Sequence, residues 1–219
     1  MVEARHHCSI FCIIPPRVLR NVAQNSRDPV VQKAALDTLA RDGTFRSLRM
    51  LRAARASAPL ATVGAVGGKP SITVYDAHEA ENLPGAPIAD PKRGADPAAK
   101  EAYSGLTETY GFYWSIFERN SIDDHGLPLL ASVHFGRSYD NAYWDGERMV
   151  FGDGEGKLFN RFTIAVDVIG HELTHGVTGA EVNLQYSGQP GALNEHVSDV
   201  FGSLIKQKVN GQAPTRPIG

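Results

Sequence analysis

The amino-acid sequence predicts an α+β fold, with a small helical unit in front of a main domain. Two observations point to this class: several short segments are rich in β-branched and aromatic residues, as strands are, and longer segments repeat apolar residues with helical spacing. A third observation divides the chain, because the stretch ASAPLATVGAVGGKP (56–70) is rich in glycine and small residues, as linkers are. We therefore expect a helical unit at 1–55, a linker at 56–70 and a main domain at 71–219.

The first unit contains clear helix signals. Asp28 followed by Pro29 is typical of a helix start, since proline fits the first helical position. Apolar residues then recur with helical spacing, and the Asp42-Gly43 pair predicts the end of this helix. The segment FRSLRMLRAAR (45–55) predicts a second, basic helix.

The main domain is predicted to be a twisted antiparallel sheet with hairpins, followed by two helices. Hydrophobic periodicity and turn residues indicate its elements, which are strands at 71–75 and 129–135, a hairpin at 141–156, and helices at 103–120, 162–178 and 193–207. The hairpin turns at Asp145-Gly146, a favoured two-residue turn. The helix at 162–178 is apolar nearly all round, so we expect it to be buried.

The composition, 42% apolar and 21% charged residues, is that of a soluble globular protein. The two cysteines, Cys8 and Cys12, are too few and too close together for a disulfide framework. The apolar run Ile10–Ile14 is too short for a signal peptide and is cut by Pro15-Pro16, and no stretch has the length of a membrane span. We expect no membrane partner, and either a cytoplasmic location or secretion by a non-standard route.

Charge is distributed unevenly along the chain. Residues 1–58 contain ten Lys or Arg and four Asp or Glu, a net charge of +6, whereas the remainder carries −8. A basic segment can indicate nucleic-acid binding. No recognition motif accompanies this one, and aromatic residues are sparse in it, so we expect no nucleic acid and instead an acidic partner within the same chain.

The segment VIGHELTHGV (168–177) contains a candidate metal site. His171 and His175 are four residues apart and therefore share one helix face. Glu172 lies about 100° away around the helix, which suits a group that takes a proton from a water molecule activated by a metal. The alternative is a polar patch on a surface helix. Because the helix is otherwise apolar, and buried unpaired polar groups are costly, a metal is favoured.

A third ligand is available in ALNEHVSDVFG (192–202). Glu195 and Asp199 are again four residues apart, and a solvated helix face is the alternative interpretation. The short connection between the two helices lets them pack face to face, so Glu195 could complete a His-His-Glu zinc site. Such a site leaves the fourth position open, as catalytic zinc sites do. Asp199 would then bind a histidine N–H.

These motifs together resemble the thermolysin family of neutral zinc metallopeptidases. HELTH is followed by NEHVSD, whose Glu195 comes twenty residues after His175, and YDNAYWDGERMVFGDGEG and FTIAVDVIGHELTHGVTG are similar to the same family. CIIPPRVLR (12–20) resembles the short propeptide of its protealysin-like branch. The resemblance covers residues 8–210, and it implies a thermolysin-like N-terminal catalytic domain with a small helical propeptide in front.

The resemblance also implies a reaction and the residues that perform it. It implies a zinc-dependent neutral endopeptidase with Zn²⁺ held by His171, His175 and Glu195. Water would attack the peptide carbonyl with Glu172 as general base, and Asp199 would orient His171.

Other family positions are carried over in the same way. Tyr186 matches a tyrosine that stabilises the oxyanion, although a packing or surface role stays open on the sequence alone. Asn141 and Ala142 match the edge on which a peptide or protein substrate lies as an added strand.

The resemblance further implies a zymogen whose own propeptide is an intramolecular inhibitor. Pro15, Pro16 and Leu19 are expected to contact the cleft, and proline lacks the N–H that cleavage normally involves. The basic charge of the propeptide suits the acidic remainder of the chain. Maturation would cut within the linker at 56–70.

The sequence departs from the family pattern in two respects. Calcium-binding members have an acidic residue where this chain has Lys206, so calcium, which is possible in the family, is doubtful beside Asp167. The family also has a C-terminal helical lobe, which we expect to be largely missing because the sequence ends at Gly219. The alternative function is therefore a catalytically incompetent, truncated zinc-binding fragment that acts only as a folding or binding module.

Overall fold

The fold is described for residues 13–53, 67–184 and 188–212 of a computed structural model, with the side chains of 45–53 left aside. These residues form the expected α+β arrangement of a helical unit, a sheet and packed helices. Most of the linker predicted at 56–70 lies outside the described residues, as does Tyr186. No described helix combines the length and hydropathy of a membrane span.

The sheet has five strands in the order β2-β1-β3-β5-β4. The strands are β1 (Ile72–Asp76), β2 (Ala86–Pro87), β3 (Leu129–Val133), β4 (Ala142–Trp144) and β5 (Met149–Phe151). β3 is parallel to both β1 and β5, whereas β2 and β4 are antiparallel edge strands. The expectation of an antiparallel sheet was therefore wrong in this respect. A helix crosses between β1 and β3, and such a crossover returns the chain in the same direction.

The predicted hairpin is confirmed as the β4–β5 pair. Trp144 is paired with Met149, and the Asp145 N–H donates to the Arg148 carbonyl oxygen at 3.0 Å, so the two central turn residues are Gly146 and Glu147, one position later than expected. The Gly146 φ of 98° favours glycine. β4 forms one edge of the sheet. The backbone groups of this edge border the candidate site described below.

The crossover helix α3 (Pro97–Phe117) covers one face of the sheet. Asp96 caps its first turn by accepting a hydrogen bond from the Ala98 N–H at 2.9 Å, and Pro97 is at the first helical position. The core lies between α3, the sheet and the next helix. Its buried members include Val74, Ala98, Ala102, Leu106, Leu129, Ala131, Val133, Met149, Phe151, Ile169 and Leu173.

Two helices follow the sheet, as predicted. The chain forms a 3₁₀ turn at Phe162–Ile164 and then α4 (Val166–Glu181), so the helix expected from residue 162 is divided in two. The last described helix is α5 (Gly188–Val209). α4 is buried along the face that contains the candidate site residues.

The N-terminal unit consists of α1 (Pro16–Asn25) and α2 (Pro29–Ala53). The predicted helix start at Pro29 is confirmed. The predicted end at Asp42-Gly43 was wrong, because α2 continues as one helix through both residues. A glycine inside a helix costs only about 1 kcal/mol relative to alanine, and the Asp42 side chain is occupied by contacts with another part of the chain instead of ending the helix.

Candidate metal centre

The site is built where α4 and α5 cross at very short distance. A Cβ atom on Gly202 would lie 2.5 Å from the Asp167 carbonyl oxygen, and one on Gly170 would lie 2.7 Å from Ile205 Cδ1. Glycine at both positions lets the two backbones approach closely. The approach brings the α5 face that contains Glu195 against the α4 face that contains the histidines.

Three potential ligand atoms converge at this crossing. His171 Nε2 lies 3.0 Å from His175 Nε2 and 3.4 Å from Glu195 Oε2, and His175 Nε2 lies 3.6 Å from Glu195 Oε1. Both imidazoles are buried. The three side chains form a group that could hold a metal ion.

The distances fit a small tetrahedral cation. Ligand atoms about 2.0–2.1 Å from a tetrahedral Zn²⁺ are about 3.3 Å from one another, and the three observed separations bracket this value. Glu195 Oε1 is buried without a hydrogen bond, and two imidazole nitrogens face each other. A cation between these atoms would satisfy all of them.

Neighbouring side chains orient both imidazoles. His175 Nδ1 lies 2.9 Å from Asn194 Oδ1 and 3.0 Å from Ser198 Oγ, and His171 Nδ1 lies 2.9 Å from Asp199 Oδ1. At His175 an acceptor at Nδ1 keeps the proton there and directs the Nε2 lone pair toward the centre, whereas at His171 Nδ1 the Asp199 carboxylate lies within ion-pair distance without forming a well-aligned hydrogen bond. Asn194 and Ser198 were missed in the sequence, although their spacing of four residues on the Glu195 helix was a usable signal.

The electrostatics of the centre favour a positive charge. Burial acts to lower the pKa of His171, but the carboxylates of Glu195, Glu172 and Asp199 outweigh it and raise that pKa. The same carboxylates favour a bound cation.

Glu172 lies beside the three potential ligands and is fully buried. Its Oε2 atom accepts a hydrogen bond from the Trp144 backbone N–H at 2.9 Å, so the carboxylate is held between α4 and the edge strand β4. A carboxylate positioned in this way can accept a proton from a group bound at the neighbouring metal position.

The predicted substrate edge, Asn141 and Ala142, is occupied by the N-terminal segment. The Ile14 N–H donates to Asn141 Oδ1 at 2.9 Å, and Asn141 Nδ2 donates to the Ile14 carbonyl oxygen at 3.2 Å. The Ile13 N–H also donates to the Ala142 carbonyl oxygen at 3.4 Å. The two isoleucines thus lie along the sheet edge beside β4 as an added strand would.

Ile13 reaches the vicinity of the metal ligands. It lines a depression of about 90 Å³ whose other lining residues are Asp167, Val168, His171, Asp199 and Ser203. The chain then enters α1 at Pro15-Pro16, and Leu19 is fully buried. The contact of Pro15, Pro16 and Leu19 with the cleft stays a prediction. Of the residues just before them, Ile13 shares a depression with His171.

The Asp167 carboxylate, which lies next to the site, forms an ion pair with a lysine of the same chain. Lys206 Nζ donates to Asp167 Oδ2 at 2.7 Å, so the ammonium group occupies the neighbourhood in which calcium was considered. That calcium does not bind beside Asp167 stays a prediction.

Comparison with known proteins gives two family matches. Residues 55–179 match the model described as "Thermolysin metallopeptidase, catalytic domain", and residues 182–218 match "Thermolysin metallopeptidase, alpha-helical domain". The division between them falls between α4 and α5, so the candidate centre takes residues from both.

Named relatives and a solved structure agree with these matches. An extracellular metalloprotease of Pectobacterium carotovorum subsp. carotovorum is 44% identical over 214 residues, which are 96% of this chain and 58% of the relative. Protease PrtS of Photorhabdus sp. (strain Az29) is 40% identical over 89% of this chain and 53% of its own length. The precursor of protealysin, a metalloproteinase from Serratia proteamaculans, superposes with a TM-score of 0.79 at 42% identity, over 93% of this chain and 57% of that one. The chain spans a little over half the length of these proteins.

Proposed function

The chain belongs to the thermolysin family of metallopeptidases, and on that premise we propose that it is a zinc-dependent endopeptidase in a latent form. His171, His175 and Glu195 are the proposed ligands. The observation that carries the proposal is the convergence of their three ligand atoms at separations that suit one tetrahedral ion. Zinc is preferred because two imidazoles and one carboxylate with an open fourth position are typical of catalytic zinc.

The proposed chemistry is hydrolysis of a peptide bond. When bound, zinc polarises the scissile carbonyl and lowers the pKa of a water molecule. The Glu172 carboxylate accepts the proton of the attacking water and delivers it to the amine nitrogen as the C–N bond breaks. The Trp144 N–H holds this carboxylate in place. Asp199, together with Asn194, keeps the imidazoles in the orientation that binding requires.

The proposed substrate is an extended peptide that lies along Asn141 and Ala142. Support comes from the backbone of Ile13 and Ile14, which already makes hydrogen bonds of this kind with both residues. Tyr186 is proposed to stabilise the developing oxyanion, a role that rests on the family resemblance alone.

The same contacts support the proposed latent state. The segment 1–55 is proposed to be a propeptide that blocks the cleft, because its isoleucines lie along the proposed substrate edge and Ile13 lines the same depression as His171. Cleavage in the linker at 56–70 would release it. Because a relative that is 44% identical is named an extracellular metalloprotease, we propose that this chain also acts outside the cell.

The test is casein hydrolysis by the zinc-loaded chain before and after limited proteolysis, next to Glu172→Gln. The processed parent should hydrolyse casein at least 10³-fold faster than the variant, a loss on the order of that for a general base. Both should bind one zinc ion per chain. If the processed parent binds zinc and hydrolyses nothing, the alternative of a zinc-binding fragment without activity is favoured.

A further inference from the structure

The Asp42 side chain is a buried carboxylate that joins the N-terminal unit to the edge of the sheet. Asp42 lies on α2 and has no solvent exposure. Its Oδ1 atom accepts a hydrogen bond from the Tyr139 hydroxyl at 2.6 Å, and its Oδ2 atom accepts one from Asn141 Nδ2 at 3.0 Å. Both partners are themselves fully buried and directly precede β4.

The two hydrogen bonds of Asp42 are strong because they form in a buried environment. A buried carboxylate is costly unless it is hydrogen-bonded, and bonds to a charged group are roughly twice as strong as neutral ones. Thr38 and Arg41 lie on the same face of α2: Thr38 Oγ1 accepts the Asp140 N–H at 3.0 Å, and Arg41 donates to the Arg137 carbonyl oxygen at 3.2 Å. One face of α2 therefore contacts the segment that leads into β4.

The Asn141 amide is held by two separate parts of the N-terminal unit. Its oxygen accepts the Ile14 N–H, while its nitrogen donates to both the Ile14 carbonyl oxygen and Asp42. Both N–H groups of the amide are thus used. If the amide rotated by half a turn, its oxygen would face the Asp42 carboxylate and its nitrogen would face the Ile14 N–H, and both contacts would be repulsive. Asp42, together with the Ala142 N–H that donates to the amide oxygen at 3.0 Å, therefore fixes the orientation in which Asn141 binds Ile14.

We propose that Asp42 is a positioning residue for latency, which acts through Asn141 to hold Ile13 and Ile14 on the substrate edge. The inference rests on the proposed function for its biological meaning, but the contact itself does not need the metal. When α2 leaves, the Asn141 amide loses both Asp42 and Ile14 together. Its donors and acceptor then become available to the backbone of an incoming peptide.

The substitution Asp42→Asn removes the charge and keeps the shape. An asparagine at position 42 can keep both contacts only as neutral hydrogen bonds, with its oxygen accepting from Asn141 Nδ2 and its NH₂ group donating to the Tyr139 hydroxyl oxygen. The loss of charge assistance in both hydrogen bonds should raise the population of the opened segment about 10- to 100-fold. Tyr139→Phe removes the other donor and should act in the same direction.

The first measurement is hydrogen exchange of the full chain by mass spectrometry. The peptide covering residues 13–25 should exchange about 10- to 100-fold faster in Asp42→Asn than in the parent. Peptides from β5 and α4 should keep their protection, which separates opening of the segment from unfolding. The matched control is Asp37→Asn, on the same helix at a half-exposed position where, among the described residues, the carboxylate forms an ion pair with Lys33. This control should match the parent.

The second measurement is binding of acetyl-leucyl hydroxamate to the zinc-loaded full chain, followed by tryptophan fluorescence. Apparent affinity rises with the fraction of chains whose cleft is open, so Asp42→Asn should bind the hydroxamate about tenfold more tightly or better. Unchanged exchange at 13–25 in both Asp42→Asn and Tyr139→Phe would refute the proposal. If exchange rises as expected but no variant binds zinc or the hydroxamate, Asp42 has the proposed positioning role and the metallopeptidase proposal is the part that fails.

Discussion

Replacing Gly202 by alanine tests whether the metal centre depends on the close crossing of α4 and α5. The added Cβ would lie 2.5 Å from the Asp167 carbonyl oxygen and 3.1 Å from the His171 backbone nitrogen. A Cβ atom and another non-bonded heavy atom are not found closer than about 3.0 Å in close-packed interiors. The two helices must therefore separate by roughly half an ångström. The neighbours are backbone atoms and cannot rotate away.

The separation should affect both stability and metal binding. Overpacking of this kind costs about 1–3 kcal/mol, and we expect that loss in the free energy of unfolding without metal. His171 Nε2 and Glu195 Oε2, now 3.4 Å apart, belong to the two helices that are pushed apart. Because ligand distances are tolerated only within about 0.2 Å, we expect zinc affinity to fall about 10- to 100-fold, the loss typical of a disturbed ligand environment.

The assays are urea unfolding in a chelator and zinc competition titration. Gly111→Ala is the matched control, because a Cβ at this position in α3 meets nothing within 4 Å. That substitution should leave zinc affinity unchanged and stabilise the chain by about 0.5–1 kcal/mol. A Gly202→Ala chain with the zinc affinity and stability of the parent would refute the idea that this crossing sets the ligand geometry.

Two further predictions concern Asn194 and His134. Asn194→Ala removes an acceptor at His175 Nδ1, so the zinc dissociation constant should rise about 10- to 100-fold, whereas the exposed Gln189→Ala should have no effect in the same titration. The hydrogen bond of His134 with Asp153, helped by Asp96, raises the pKa of His134 to about 9, above its unfolded value. This interaction therefore stabilises the fold below about pH 6.5 and is lost as the pH rises toward 9, a change on the order of 1–2 kcal/mol after solvent screening. In unfolding measurements across that window, His134→Gln should remove this pH dependence, and the exposed His125→Gln should retain it.

The parts of the site that could be predicted from sequence are those fixed by local helix geometry. A spacing of four residues places His171 and His175 on one helix face whatever the rest of the fold does. The same rule applies to Glu195 and Asp199. The pairing of the two faces was also predictable, because the connection between the helices is short.

Features that depend on distant parts of the chain were predicted less well. The direction of β3 relative to β1 depends on how α3 returns the chain, which the residues of the strands do not encode. At Asp42-Gly43 a local signal for a helix end was overridden by the hydrogen bonds of Asp42 to residues almost a hundred positions away. Those partners become visible only in three dimensions.

The charge asymmetry of the chain has a smaller role in the docked arrangement than the sequence suggested. Ion pairs between the N-terminal unit and the main domain run in both senses: Arg41 binds Glu81, whereas Lys157 binds Asp28. Such solvent-exposed pairs are worth only about 0–1 kcal/mol. The bonds that fix the N-terminal unit on Asn141 are instead buried and directional. Opposite net charges can favour an encounter between the N-terminal unit and the main domain, but they do not specify which edge of the sheet is contacted. The Asn141 amide and the Asp42 carboxylate specify that edge.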